Sequence, residues 1–258
     1  MDMTLWKKFL MSLFLLISLT ITASAYEEMD SNWVWTNCVK SDLNDQYIEG
    51  SYNNYFVGMD SAVYNPKENS ITFWMKDEYV EHNELRQVTQ EAWGVIPTTG
   101  ECWKMYSVVD GKSITNHYYH RKMKSMSHGF VLPDSYVEIG VNKILEKNHA
   151  APVYKTTPPH NWEFLKNEVS PYNEKIYTTW SICTDTVILS SKKELGAVFV
   201  KNKIHGSCNN GGGGVSIYKF GLKNRTIAGF GEKKMRKVKP GSLEELIYNK
   251  AQELFVKK

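Results

Sequence analysis

The chain has 258 residues, 42% of them hydrophobic, with 31 Lys+Arg against 28 Asp+Glu and a formal net charge of +3. This length can bury a core, and 8 Trp, 15 Tyr and 10 Phe at a charged fraction of 23% exclude intrinsic disorder. Four cysteines are too few for a disulfide scaffold, and no apolar run outside the first 25 residues is long enough to span a membrane.

The N-terminus carries Lys7 and Lys8, an apolar stretch Phe9 to Ile21, and the small-residue end Ala23-Ser24-Ala25. This pattern predicts a secretory signal peptide over residues 1–25, cleaved after Ala25, so that the membrane is met only through this transient segment. In an oxidising compartment the four cysteines, Cys38, Cys102, Cys183 and Cys208, predict two disulfides. No two of them have the C-x2-C spacing of a zinc site, and three pairings are open.

Next along the chain is an internal repeat. Asp60 to Asp77 lies over Asp185 to Asn202 without a gap, each segment reading as a short strand, a polar turn and a longer strand. Asn32-Trp33 has a counterpart in Asn161-Trp162, and Gly100-Glu-Cys102 in Gly206-Ser-Cys208. Tyr106 to Ile114 matches Tyr218 to Ile227 loosely, and Arg121 to Lys124 matches Lys233 to Arg236. Leu132-Pro-Asp-Ser135 matches Lys239-Pro-Gly-Ser242, and each opens an S-x-x-E capping box, Ser135/Glu138 and Ser242/Glu245, at the head of a helical stripe. The stripes are Val137, Val141, Ile144 and Leu145 in the first, and Leu243, Leu246, Ile247, Leu254 and Phe255 in the second.

Three prolines between Ala150 and His160 predict a linker. The organisation expected is therefore a first unit over residues 26–149, a linker over 150–160 and a second unit over 161–258. The fold class expected is α+β, each unit being a small antiparallel β-sheet packed against a C-terminal α-helix.

An aromatic opening (Trp33-Val-Trp35; Trp162-Glu-Phe164), an Asp-headed hairpin ending in an apolar-Lys strand, a Tyr-containing strand and Pro-x-Ser before a terminal helix occur in both halves. Together they resemble the surface-adhesin E-like domain of Gram-negative bacterial envelopes, present twice. The resemblance covers most of the mature chain, and its motifs are structural rather than catalytic. It implies a sheet packed on a helix in each unit and binding of host matrix or serum proteins. Such domains often carry a Cys in or after the last helix, which neither helix has here. One bridge per unit, Cys38–Cys102 and Cys183–Cys208, is the pairing expected on this basis.

No catalytic motif accompanies these features. Among the histidines only His117, His120 and His128 cluster, and in a strand residues three apart point to opposite faces, so no metal site is expected there. H-E-x-x-H and G-x-S-x-G are absent, and the S-x-x-K segments at Ser190 and Ser216 lack their companion motifs. Asp60 and Asp185 head equivalent hairpins, where turn capping is the reading preferred to paired catalytic carboxylates. The expectation is a non-enzymatic protein with no cofactor.

Charge separates the halves. Residues 26–148 hold 11 Lys+Arg and 18 Asp+Glu, residues 149–258 hold 18 and 9, so nets of −7 and +9 lie in one near-neutral chain. Lys233, Lys234, Arg236, Lys237 and Lys239 form a basic patch that suits a polyanion or an acidic protein, or serves as a solvated edge strand. Nucleic acid is not expected as a partner. The expected function is an exported, adhesin-like envelope protein binding a macromolecular partner, at the cell surface, secreted or periplasmic. The alternative is a periplasmic structural or assembly protein that self-associates through its oppositely charged halves.

Overall fold

The protein is described here by a computed structural model over residues 31–40, 51–112, 118–189, 194–206, 213–229, 232 and 234–256. The predicted signal peptide lies outside the described residues. The first seven strands are β1 (Trp33–Lys40), β2 (Tyr52–Gly58), β3 (Val63–Asn65), β4 (Ser70–Glu81), β5 (Glu84–Val95), β6 (Glu101–Lys112) and β7 (Tyr118–Phe130). They form one antiparallel sheet in the order β1-β2-β4-β5-β6-β7, with β3 paired to β4. A helix α1 (Tyr136–Lys147) and a single 3-10 turn (Val153–Lys155) lead to the second sheet. It holds β8 (Trp162–Ser170), β9 (Asn173–Leu189), β10 (Leu195–His205), β11 (Gly213–Gly221), β12 (Thr226–Ala228) and β13 (Arg236–Lys237), each paired to the next in chain order, and is followed by α2 (Leu243–Val256).

The expected α+β class is corrected by this architecture: the protein is mainly β, two curled antiparallel sheets with only two helices among the described residues. The strands run to 17 residues in β9, whereas the helices have 12 and 14. The reason lies in long runs of β-branched and aromatic residues, such as Ile176-Tyr-Thr-Thr-Trp-Ser-Ile182 in β9, which favour a pleated surface. Turn chemistry helps: His82 and Asn83 both have positive φ, 49° and 62°, as a two-residue hairpin turn between β4 and β5 requires.

Each helix contributes to a core that its sheet dominates. Val57, Phe73, Met75 and Val95 share one cluster with Val137, Val141, Ile144 and Leu145 of α1. Ile182, Val198, Val200 and Phe220 share another with Ile247, Tyr248, Ala251 and Leu254 of α2. The predicted stripe of α1 is wholly buried, while in the α2 stripe Leu246 is exposed. Trp74, Ala92, Tyr106 and Val108 alternate with the first core along their strands and form a separate cluster with Trp33. Both capping boxes form: Ser135 Oγ accepts from Glu138 N at 3.2 Å and Ser242 Oγ from Glu245 N at 3.3 Å. Reciprocally, Glu138 and Glu245 each accept the amide of the residue that follows the proline, Asp134 N and Gly241 N, at 2.8 Å.

The two sheets repeat each other rung by rung. Tyr52↔Val80, Tyr55↔Asp77, Val57↔Met75 and Val63↔Thr72 in the first become Tyr177↔His205, Trp180↔Asn202, Ile182↔Val200 and Ile188↔Ala197 in the second. The edge strands also agree, including a bulge at the same place: Trp33↔Gly58 and Trp35↔Phe56 before a shift to Asn37, against Trp162↔Cys183 and Phe164↔Ser181 before a shift to Lys166. Three of the sequence matches are corrected by these ladders. Cys102 faces Val95 where Ile227 faces Phe220, so Ile227, not Cys208, is its counterpart. Val131 N donates to Gly100 O as Val238 N donates to Arg225 O, so Gly100 corresponds to Arg225 rather than Gly206. Tyr218 lies in β11, opposite Val198, as Trp93 in β5 lies opposite Phe73, so it does not correspond to Tyr106. Arg236 faces Ile227 where Gly129 faces Cys102, which displaces the match to Arg121–Lys124 as well.

The connector is not a free tether. Val153 is fully buried and its amide donates to Asn142 Oδ1 of α1 at 2.9 Å. Tyr154 stands edge-on to Phe199 of β10 at 5.7 Å between ring centroids, while its hydroxyl donates to Val131 O at 2.7 Å. Its ring lies where a Cβ on Gly100 would sit, and Gly100 has φ +71°, so glycine is required there twice over.

Candidate functional site

The connector ends in His160, and around it the two sheets meet. In β9 the residues from Cys183 to Thr186 leave the ladder with β10, because the register steps from Val198↔Val187 to Val200↔Ile182. That excursion turns Cys183, Asp185 and Thr186 toward His160. Asp185 Oδ1 lies 3.1 Å from His160 Nδ1 and accepts from Cys183 Sγ at 3.1 Å, while Oδ2 accepts the Asn161 amide at 3.0 Å. Thr186 Oγ1 lies 3.1 Å from His160 Nδ1. On the other side of the ring, Nε2 is 2.8 Å from Glu138 Oε1, supplied by the capping box of α1. Asp134, just before α1 and held at φ +63°, accepts the His160 amide at 3.0 Å and the Trp162 indole N–H at 2.7 Å. The side chains of His160 and Glu138 are fully buried, Cys183 and Thr186 are buried residues, and the Asp185 side chain is 23% exposed.

Electrostatics follow from this packing. Burial opposes a charge on His160, but the hydrogen bonds and charges of Glu138 and Asp185 outweigh it and raise the imidazole to about 9. Burial also works against the Asp185 carboxylate, yet its bonds from Cys183, Asn161 and His160 hold it below the ordinary value. Burial pushes the Cys183 thiol up to about 12, aided by its hydrogen bond to Asp185, which keeps it protonated at neutral pH. The arrangement is an imidazolium clamped between a carboxylate of α1 and a carboxylate of β9. Two overlapping sets of ligand-type side chains result, His160/Cys183/Asp185 and Asp134/Glu138/His160, each with its donor atoms within 4.8 Å of one another.

Of the residues singled out from the sequence, Cys183, Asp185 and Glu138 belong to this cluster and the others lie elsewhere. Cys102 and Cys183, expected to bridge to Cys38 and Cys208, are free, buried thiols. Cys38 pairs with Asn54 on β1, four strands from Cys102 and toward the opposite end of the sheet, far beyond the roughly 7 Å between Cα atoms that a disulfide tolerates. Its side chain, and Cys208 altogether, lie outside the described residues. Cys183 sits in the cluster opposite Trp162, whereas β10 ends at His205 opposite Tyr177, six residues back along β9.

In the basic patch, Lys234, Arg236, Lys237 and Lys239 are exposed, and Lys233 lies outside the described residues. Arg236 is held by Glu232 at 3.1 Å and Glu244 at 2.8 Å, and Lys237 Nζ donates to Asn224 O at 3.1 Å. Of the clustered histidines, His128 is exposed on β7, the His120 side chain lies outside the described residues, and so does His117.

Asp60 and Asp185 do the same local work. Each accepts the amide of the Asn that opens its unit, Asn32 at 2.8 Å and Asn161 at 3.0 Å, and the residue before each Asp returns an amide to that Asn, Met59 N at 3.1 Å and Thr184 N at 2.9 Å. The capping reading of this pair is the one the geometry bears out. His160 was missed because it closes a proline-rich stretch. Placing Ser31 over His160, and Gly58 over Cys183, around the two matched Asp residues would have found it.

No protein-family model and no curated protein matches the chain.

Proposed function

We propose that this is a non-enzymatic, exported envelope protein that binds a protein partner, of the host matrix or serum class indicated by the resemblance to surface-adhesin E-like domains. The observation that carries the reading is a pair of exposed aromatics, Trp35 at 53% and Phe164 at 57% exposure, at the same step of the same bulge on β1 and β8. Each of these strands ends the order of its sheet. An edge strand offers main-chain groups to an extended partner, and a large exposed aromatic beside it supplies the anchor. Duplication of both features gives two such anchors on one chain, which favours a repetitive or extended partner. The basic patch supports the reading less, since Arg236 already has two carboxylate partners. Among the described residues no helix is long and apolar enough to cross a membrane.

The test is binding of the purified mature chain to immobilised matrix and serum proteins, with Trp35→Ala and Phe164→Ala singly and together. The expected result is loss of at least tenfold in affinity for the double variant with unchanged thermal unfolding. Full binding by the double variant would overturn the edge-strand reading. Salt-sensitive self-association with no external ligand would favour the assembly role instead, and protease shaving of intact cells would decide whether the chain faces the medium.

A further inference from the structure

We propose that His160 Nδ1, Cys183 Sγ and Asp185 Oδ1 form a binding site for a borderline divalent transition metal, zinc foremost, with Glu138 orienting the imidazole from behind. Imidazole nitrogen, thiolate and carboxylate are the donor types that zinc takes in proteins. Sγ and Nδ1 each lie 3.1 Å from Oδ1, and the three donors fall within 4.8 Å of one another. Tetrahedral zinc with bonds of about 2.0–2.3 Å holds its donors roughly 3.3–3.8 Å apart, so the two contacts to Oδ1 need to open by only a few tenths of an ångström, and the remaining pair already lies within 4.8 Å. Glu138 Oε1, 2.8 Å from Nε2, fixes the tautomer that leaves Nδ1 free for a metal, the carboxylate–histidine–metal relay seen behind many zinc ligands. The partly exposed Asp185 side chain gives the ion its way in, and the fourth position falls to Thr186 Oγ1 or to water.

The first sheet supplies an internal control. There the same turn is built from Ser31, Gly58 and Asp60, and Ser31 Oγ donates to Asp60 as His160 faces Asp185. A Cβ built on Gly58 would point at Ser31 Oγ, 2.6 Å away, which is the direction Cys183 takes toward its own cluster. Two positions have thus diverged around a shared aspartate, and both divergences install ligand side chains. Charge is conserved on binding: the divalent ion enters as the imidazolium and the thiol each lose one proton, so the buried group of His160, Cys183, Asp185 and Glu138 keeps the net charge of −1 it has with both protons in place.

The test uses the full mature chain stripped with a chelator, then titrated with zinc and with cobalt. One ion per chain is expected, with release of the thiol proton and a thiolate-to-cobalt charge-transfer band. Cys183→Ser should abolish the band and weaken zinc at least tenfold. Glu138→Gln should weaken it about 10–100-fold. A His120→Ala/His128→Ala double variant should bind as the unsubstituted chain does. Absence of stoichiometric binding by the folded protein, unchanged binding by Cys183→Ser, or loss of binding in the His120/His128 variant would each overturn the proposal. Should Cys183→Ser fail to fold, the cobalt spectrum of the unsubstituted chain decides alone, and absence of the band overturns it.

Discussion

The first and second sheets share a register to the residue and differ tellingly where each begins. In the first, a serine hydroxyl and a backbone amide close on an exposed aspartate, Asp60. In the second, a histidine takes the place of the serine, reaches the equivalent aspartate with one ring nitrogen and spends the other on a glutamate from α1. The same backbone therefore carries a solvated turn in one copy and a buried ionic strap in the other. What the copies keep is what the main chain demands, namely amides satisfied by an aspartate. What they vary is the side chain just outside that requirement, and the join between the sheets is built there.

The largest test of this contrast is removal of the central cation. His160→Ala should lose about 3–5 kcal/mol in denaturant unfolding, because it strands buried carboxylates without a partner. Ser31→Ala at the equivalent position should cost no more than about 1 kcal/mol. Equal losses would erase the distinction between the turns.

The pH dependence sharpens it. With metal removed, His160 titrates near 9 in the folded chain, against an ordinary value of 6.5, among Glu138, Asp185, Cys183 and Asp134. Its contribution is complete below the unfolded value and lost as pH rises through the folded one, so stability should fall by about 3 kcal/mol between those limits. The decline should vanish in His160→Ala, whose profile reports the first sheet and the remaining groups.

A smaller effect belongs to the connector. Tyr154→Phe deprives the buried Val131 carbonyl of its donor and should cost about 1–2 kcal/mol, read in the same unfolding experiment. Least of all should the capping boxes distinguish the units: Ser135→Ala and Ser242→Ala should each cost about 1 kcal/mol, since the two geometries agree within a tenth of an ångström. A gap of several kcal/mol between them would show that the copies diverge at their helices too.

Much of this was legible in the residues. The gapless match of Asp60–Asp77 to Asp185–Asn202 anticipates the ladder, because a period-two pattern cannot slip by one rung without turning its core face outward. The capping boxes were legible for a similar local reason, a hydroxyl and a carboxylate three residues apart at a proline-led start. The fold class was not, since strand length depends on pairing with neighbours that composition does not reveal, and β6–β7 outgrows its counterpart β12–β13 severalfold. The cysteine match failed because Gly100 and Gly206 stand at unrelated steps of the repeat. The His160 cluster escaped because it joins residues from α1, the connector and β9, which only the packed chain brings together. Trp35 reads as core from its spacing with Trp33, yet the bulge and the edge leave it in solvent.

A buried connector has a mechanical consequence. Val153 and His160 are buried and Tyr154 packs half-buried against the core, so pulling the halves apart cannot begin by extending a slack tether; it must first tear out side chains that both sheets hold. Tension applied between the two exposed aromatic edges would thus be borne by the whole body as one unit. The chain should yield in a single event under load.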